Sequence, residues 1–111
     1  MAVTFTTADQ IDRITVSATI GKVTKVTLEN STRTVTVQGF DSGGTIGTAC
    51  KVALSGTDDA AIGADFWTVP AGVSLEIPLE NERGRSVPAV IYIASSVASG
   101  IIEVWASKVG V

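Results

Sequence analysis

Residues 67–79, W-T-V-P-A-G-V-S-L-E-I-P-L, set a strand end, a Pro-Ala-Gly turn, and then Val73, Leu75, Ile77 and Leu79 in alternation with Ser74, Glu76 and Pro78. A period of two after a turn signal marks an extended segment with one face buried and one face wet. The same grammar runs through most of the chain, so the expected fold class is all-β. With 111 residues there is room for one domain and one core.

The remaining strands are read from the same alternation. Residues 13–19 place Ile14, Val16 and Ala18 against Thr15 and Ser17, and residues 22–29 turn Val26 and Leu28 inward with Lys25 and Thr27 outward. Asn30-Ser31-Thr32 is a turn signal, and residues 33–38, with Val35 and Val37 inward, are expected to fold back on the preceding strand as a hairpin. Asp41-Ser42-Gly43-Gly44 breaks the chain. Residues 48–55 follow, with Cys50, Val52 and Leu54 on one face and Lys51 on the other. Residues 56–65 are irregular, with room for a helical turn at 57–61, and residues 80–85, E-N-E-R-G-R, read as a solvated loop.

The strand at residues 87–95 is apolar on both faces, which suits the middle of a sandwich or the underside of a partner. In the last strand, residues 100–107, Ile102, Val104 and Ala106 share one face and Ile101, Glu103 and Trp105 the other. The expected architecture is a single β-sandwich or jelly-roll-like domain of about eight antiparallel strands over residues 11–111. Residues 1–10 read as a polar, Thr-rich arm ordered against a neighbour, with a capping box at Thr7 and Gln10 as the alternative.

Chemistry is sparse. There is no histidine, which removes the usual base for Ser and Cys nucleophiles and the commonest zinc ligand. Asp41, Asp58, Asp59 and Asp65 are calcium-type ligands by chemistry, but they lack the spacing of a calcium loop and read as turn caps. The single cysteine, Cys50, excludes an internal disulfide and reads as an inert core thiol. Neither an enzyme nor a cofactor is expected.

Charged residues make up only 17% of the chain and apolar residues 45%, with a net charge of -3 and no cluster of Lys or Arg. Nucleic-acid binding draws on concentrated positive charge, so it is not expected. No secretory signal or membrane span is read, and the protein is expected to be soluble. So little surface charge points instead to apolar surface covered by other subunits. Val90, Tyr92, Ile101 and Trp105 are the candidate interface residues. Trp67 and Trp105 are the candidates for stacking on a sugar ring, weighed below core or interface roles because isolated aromatics carry little specificity.

The order of segments K-V-T-L-E-N-S-T-R-T-V-T-V, F-W-T-V-P-A-G-V-S-L-E-I-P-L and V-I-Y-I-A-S-S-V-A-S-G-I-I-E-V-W-A-S resembles small β-sandwich structural proteins of tailed bacteriophages, of the head decoration or tail-associated type. The resemblance implies a non-enzymatic virion component closed by a final hairpin. It also implies a homo-oligomer, for example a trimer, bound to major capsid or other virion proteins and assembled in the bacterial host cytoplasm. A carbohydrate-binding or tail-fibre-associated adhesion module is the alternative expectation.

Overall fold

The computed structural model describes residues 2–7, 9–79 and 89–107. Within them the chain forms nine strands: β1 Ala2–Thr4, β2 Gln10–Thr15, β3 Thr24–Thr27, β4 Thr34–Phe40, β5 Cys50–Ala53, β6 Trp67–Val69, β7 Leu75–Pro78, β8 Val90–Ser95 and β9 Ile101–Ser107. They make two sheets, ordered β1-β3-β8-β5-β6 and β2-β9-β4-β7. The sheets pack face to face around one aliphatic core that includes Val26, Val52 and Ile93 from the first and Ile14, Val37 and Val104 from the second. The all-β sandwich expected from the alternation is the fold observed. The solvated loop expected at 80–85 lies outside the described residues.

Connectivity departs from the expectation at a consistent kind of place. β3 and β4 do not form a hairpin: β3 pairs with β1 and β8, whereas β4 pairs with β7 and β9. The segment between them is an arch from one sheet to the other. Its first residue, Leu28, donates its N–H to the carbonyl of Ala89 beside β8, and Arg33 at its far end donates to the carbonyl of Ser107 on β9. Two layers packed about 10 Å apart need a connection of several residues, and residues 28–33 supply it. Thr32 N–H bonds to the Glu29 carbonyl at 3.0 Å, which sets the bend.

The same correction applies to the closing segment. β8 and β9 belong to different sheets, so the small residues between them arch across the sandwich. Ser99 sits there at φ 55°, and its N–H reaches the Ser17 carbonyl. The Pro70-Ala71-Gly72 turn likewise passes the chain from β6 to β7 in the other sheet. Val73 N–H bonds to the Pro70 carbonyl at 3.2 Å, and Gly72 has φ 77°, the geometry of a type II turn.

Two residues expected inside lie outside. β5 ends at Ala53, so Leu54 leaves the alternation and is exposed; β7 begins only at Leu75, which leaves Val73 exposed as well. Residues 57–61 hold a hydrogen-bonded turn, with Asp59 at φ 61° and Ala60 N–H on the Thr57 carbonyl, rather than a helical turn.

Residues 2–5 take part in the sandwich. β1 adds to the edge of β3 in parallel, and Phe5 N–H bonds to the Thr27 carbonyl while its ring is buried in the core. Gln10, the far end of the candidate capping box, accepts from Thr6 N–H and from the Thr7 hydroxyl, and then opens β2 rather than a helix. β8, apolar on both faces in the sequence, is the central strand of the five-stranded sheet.

Candidate functional site

Two surfaces concentrate side chains able to bind something, and they lie on different parts of the sandwich. The outer face of the four-stranded sheet is fixed by strand parity. With Ile14, Val37, Ile102 and Val104 turned into the core, their chain neighbours must point out. Register then sets Ile11 beside Trp105 and Thr36, Arg13 beside Glu103 and Gln38, and Thr15 beside Ile101 and Phe40. Ile11 is 71% exposed and Trp105 43% exposed. A shallow groove of about 240 Å³ runs past this pair, with Thr36, Ser74 and Glu103 among its walls.

One side chain makes several contacts at the centre of that face. Arg13 Nε lies 3.1 Å from Glu103 Oε2, the guanidinium donates to the Gly44 carbonyl, and its carbon stands 5.2 Å from the centre of the Phe40 ring. Apolar groups flank this polar centre on both sides. Parity also puts the Arg13 N–H on the side of β2 away from β9, where β2 is the edge strand among the described residues and the carboxylate of Asp12 accepts it at 2.9 Å. A charged group bonded to the edge in this way hinders addition of a further strand.

The second surface is a cleft of about 360 Å³ at the β5–β6 edge, lined by Val52, Ala53, Leu54, Ser55, Asp65, Phe66 and Trp67. Leu54, Phe66 and Trp67 are all exposed there. Lys51 Nζ stands 4.6 Å from the centre of the Phe66 ring.

The four candidate interface residues therefore divide. Ile101 and Trp105 lie on the outer face of the four-stranded sheet, whereas Val90 and Tyr92 lie on the outer face of the five-stranded one. The chain itself covers part of the latter. Val23 N–H bonds to the Ala60 carbonyl and Asp59 N–H to the Val23 carbonyl, Asp58 Oδ1 accepts the Lys25 N–H, and a Cβ at Gly56 would stand 3.4 Å from the Tyr92 ring. Gly56 thus lies over Tyr92, which is half-buried, while residues 58–60 run beside the β3 edge.

Trp67 and Trp105, the candidate sugar platform, sit on different sheets and line different clefts. They cannot grip one ring together. The sequence reading missed Ile11, Arg13 and Phe40 on one surface and Leu54 and Phe66 on the other. Ile11 and Arg13 were accessible to it, because extending the Ile14 and Val16 alternation backwards puts both on the outward parity.

Among the described residues no three of Cys, Asp and Glu gather as metal ligands. Asp41 caps its own loop: the N–H of Thr45, with those of Ile46, Gly44 and Gly43, holds its carboxyl below the ordinary value against the opposing effect of burial. Cys50 is buried, and burial pushes its thiol up to about 11. A thiol held protonated is a poor nucleophile and metal ligand. Among the described residues no helix is long and apolar enough to cross a membrane. No family model matches the chain, and no curated protein or solved structure matches it at a significant level.

Proposed function

We propose that this chain is a non-enzymatic structural protein of a tailed-bacteriophage virion, a decoration module that binds coat subunits and sister copies through the outer face of its four-stranded sheet. The observation that carries the reading is the Ile11–Trp105 pair: two large apolar side chains, adjacent across β2 and β9 and 71% and 43% exposed, on a sheet whose neighbouring row is locked by Arg13 and Glu103. Exposed aromatic and aliphatic groups side by side on a sheet face are the raw material of interface anchors. Low overall charge and a succession of segments that resembles phage structural proteins support the same reading.

The test is co-sedimentation of the purified chain with coat-protein shells assembled without it, alongside its own sedimentation at micromolar concentration. Binding or self-association that is lost in Ile11→Ser and Trp105→Ser variants, and kept in Val90→Ser, is the expected outcome. A monomer that no shell retains overturns the proposal.

A further inference from the structure

We propose that the cleft at the β5–β6 edge is a binding site for a neutral pyranose sugar, built from Phe66, Trp67, Asp65 and Ser55, and independent of Trp105. Its size, about 360 Å³, falls within the roughly 300–1,000 Å³ of small-molecule sites. Two aromatic side chains stand half in solvent at its wall, Phe66 at 37% and Trp67 at 46% exposure. A carboxylate, Asp65, and a hydroxyl, Ser55, share the same lining.

The charges decide which class of ligand fits. A cationic ligand would suit aromatic rings and a carboxylate, but Lys51 already places its ammonium 4.6 Å from the Phe66 ring centre, and a second cation there meets like-charge repulsion. An anionic ligand meets Asp65. A purely aliphatic ligand would bury the Asp65 carboxylate without replacing its hydrogen bonds to water. A pyranose meets each wall with a suitable part: its C–H face lies on an aromatic ring, its hydroxyl hydrogens bond to Asp65, and its hydroxyl oxygens accept from Ser55. The site stands on an edge strand, where Trp67 extends past the end of the core row begun by Val52 and is not needed to fill the interior.

The proposal does not rest on the virion reading. Its test is NMR titration of the intact chain with the methyl pyranosides of glucose, galactose, mannose and N-acetylglucosamine and with their disaccharides, following the two indole N–H signals. At least one sugar is expected to shift the Trp67 indole saturably with a millimolar Kd while the Trp105 indole stays in place. Trp67→Ala is expected to weaken that binding more than tenfold, Asp65→Asn severalfold, and Trp105→Ala not at all. Both cleft side chains are exposed, so the variants should fold, and an unchanged amide spectrum away from the cleft verifies this. The proposal is overturned if no sugar shifts the Trp67 indole, if the Trp105 indole responds instead, or if Trp67→Ala binds as the parent does.

Discussion

Arg13 and Glu103 pair across β2 and β9 with Nε and Oε2 3.1 Å apart, and the same guanidinium also holds the Gly44 carbonyl and covers the Phe40 ring. Both members of the ion pair are about half exposed, at 48% and 41%, so solvent screens their attraction. Glu103→Gln should therefore lower stability by no more than about 1 kcal/mol, and added salt should shrink the difference. Arg13→Ala should cost about 1–2 kcal/mol, because it also removes the carbonyl bond and the ring contact. Urea midpoints for the two variants at low and high salt check the ranking; equal losses would show that Arg13 acts through Glu103 alone.

Cys50 provides a pH-dependent prediction. Burial raises its thiol from 9.0 to about 11, so the folded chain keeps a proton that the unfolded chain has released. The contribution is complete below pH 9 and is lost as pH rises towards 11, to a total on the order of 2–3 kcal/mol. Unfolding measured from pH 8 to 11 should fall more steeply for the parent than for Cys50→Ala. Iodoacetamide should label the native thiol far more slowly than the thiol in denaturant.

Thr24 lies on the core-facing side of β3 opposite Ile93, fully buried, and its hydroxyl has no hydrogen-bond partner among the described residues. Thr24→Val replaces that hydroxyl by a methyl group of similar shape and should stabilise the fold by about 1 kcal/mol. Thr24→Ser keeps the hydroxyl, loses the methyl, and should destabilise by a similar amount. Thermal melts of both variants test the sign; a destabilised valine variant would show that the hydroxyl has a partner after all.

Gly39 lies where the backbone of Thr48 comes close to β4. A Cβ there would overlap the Thr48 carbonyl oxygen and stand 3.3 Å from the Cys50 side chain, and Thr48 N–H bonds to the Gly39 carbonyl at 3.0 Å. Gly39→Ala should cost about 2 kcal/mol or more, since backbone must move to admit the methyl. At Gly63 nothing lies within 4 Å of an added Cβ, so Gly63→Ala should stay within about 0.5 kcal/mol of the parent. Denaturant midpoints for the pair separate steric overlap from a general effect of replacing glycine.

The surface at Ile11 and Trp105 shows how far parity alone reaches. Ile102, Val104 and Ala106 on one side of β9, with Glu103 and Trp105 on the other, are readable from alternation, and the structure buries and exposes them accordingly. What alternation could not supply is the neighbour. Trp105 meets Ile11 because β2 lies beside β9, a pairing between opposite ends of the chain. Trp67 and Trp105 look equivalent in composition, yet they occupy separate sheets and separate clefts.

The residues by themselves determined that this chain builds strands, which side of most of them is apolar, and where the turns fall, because alternation and turn chemistry act over a few consecutive residues. Only the tertiary structure decided which strands pair, that residues 28–33 and 96–100 arch between sheets instead of closing hairpins, and that Lys51 reaches the Phe66 ring. A turn sequence specifies a bend, but hairpin and arch bend the chain similarly. The choice between them is made by burying both apolar faces in one shared core, an energy that belongs to all nine strands together.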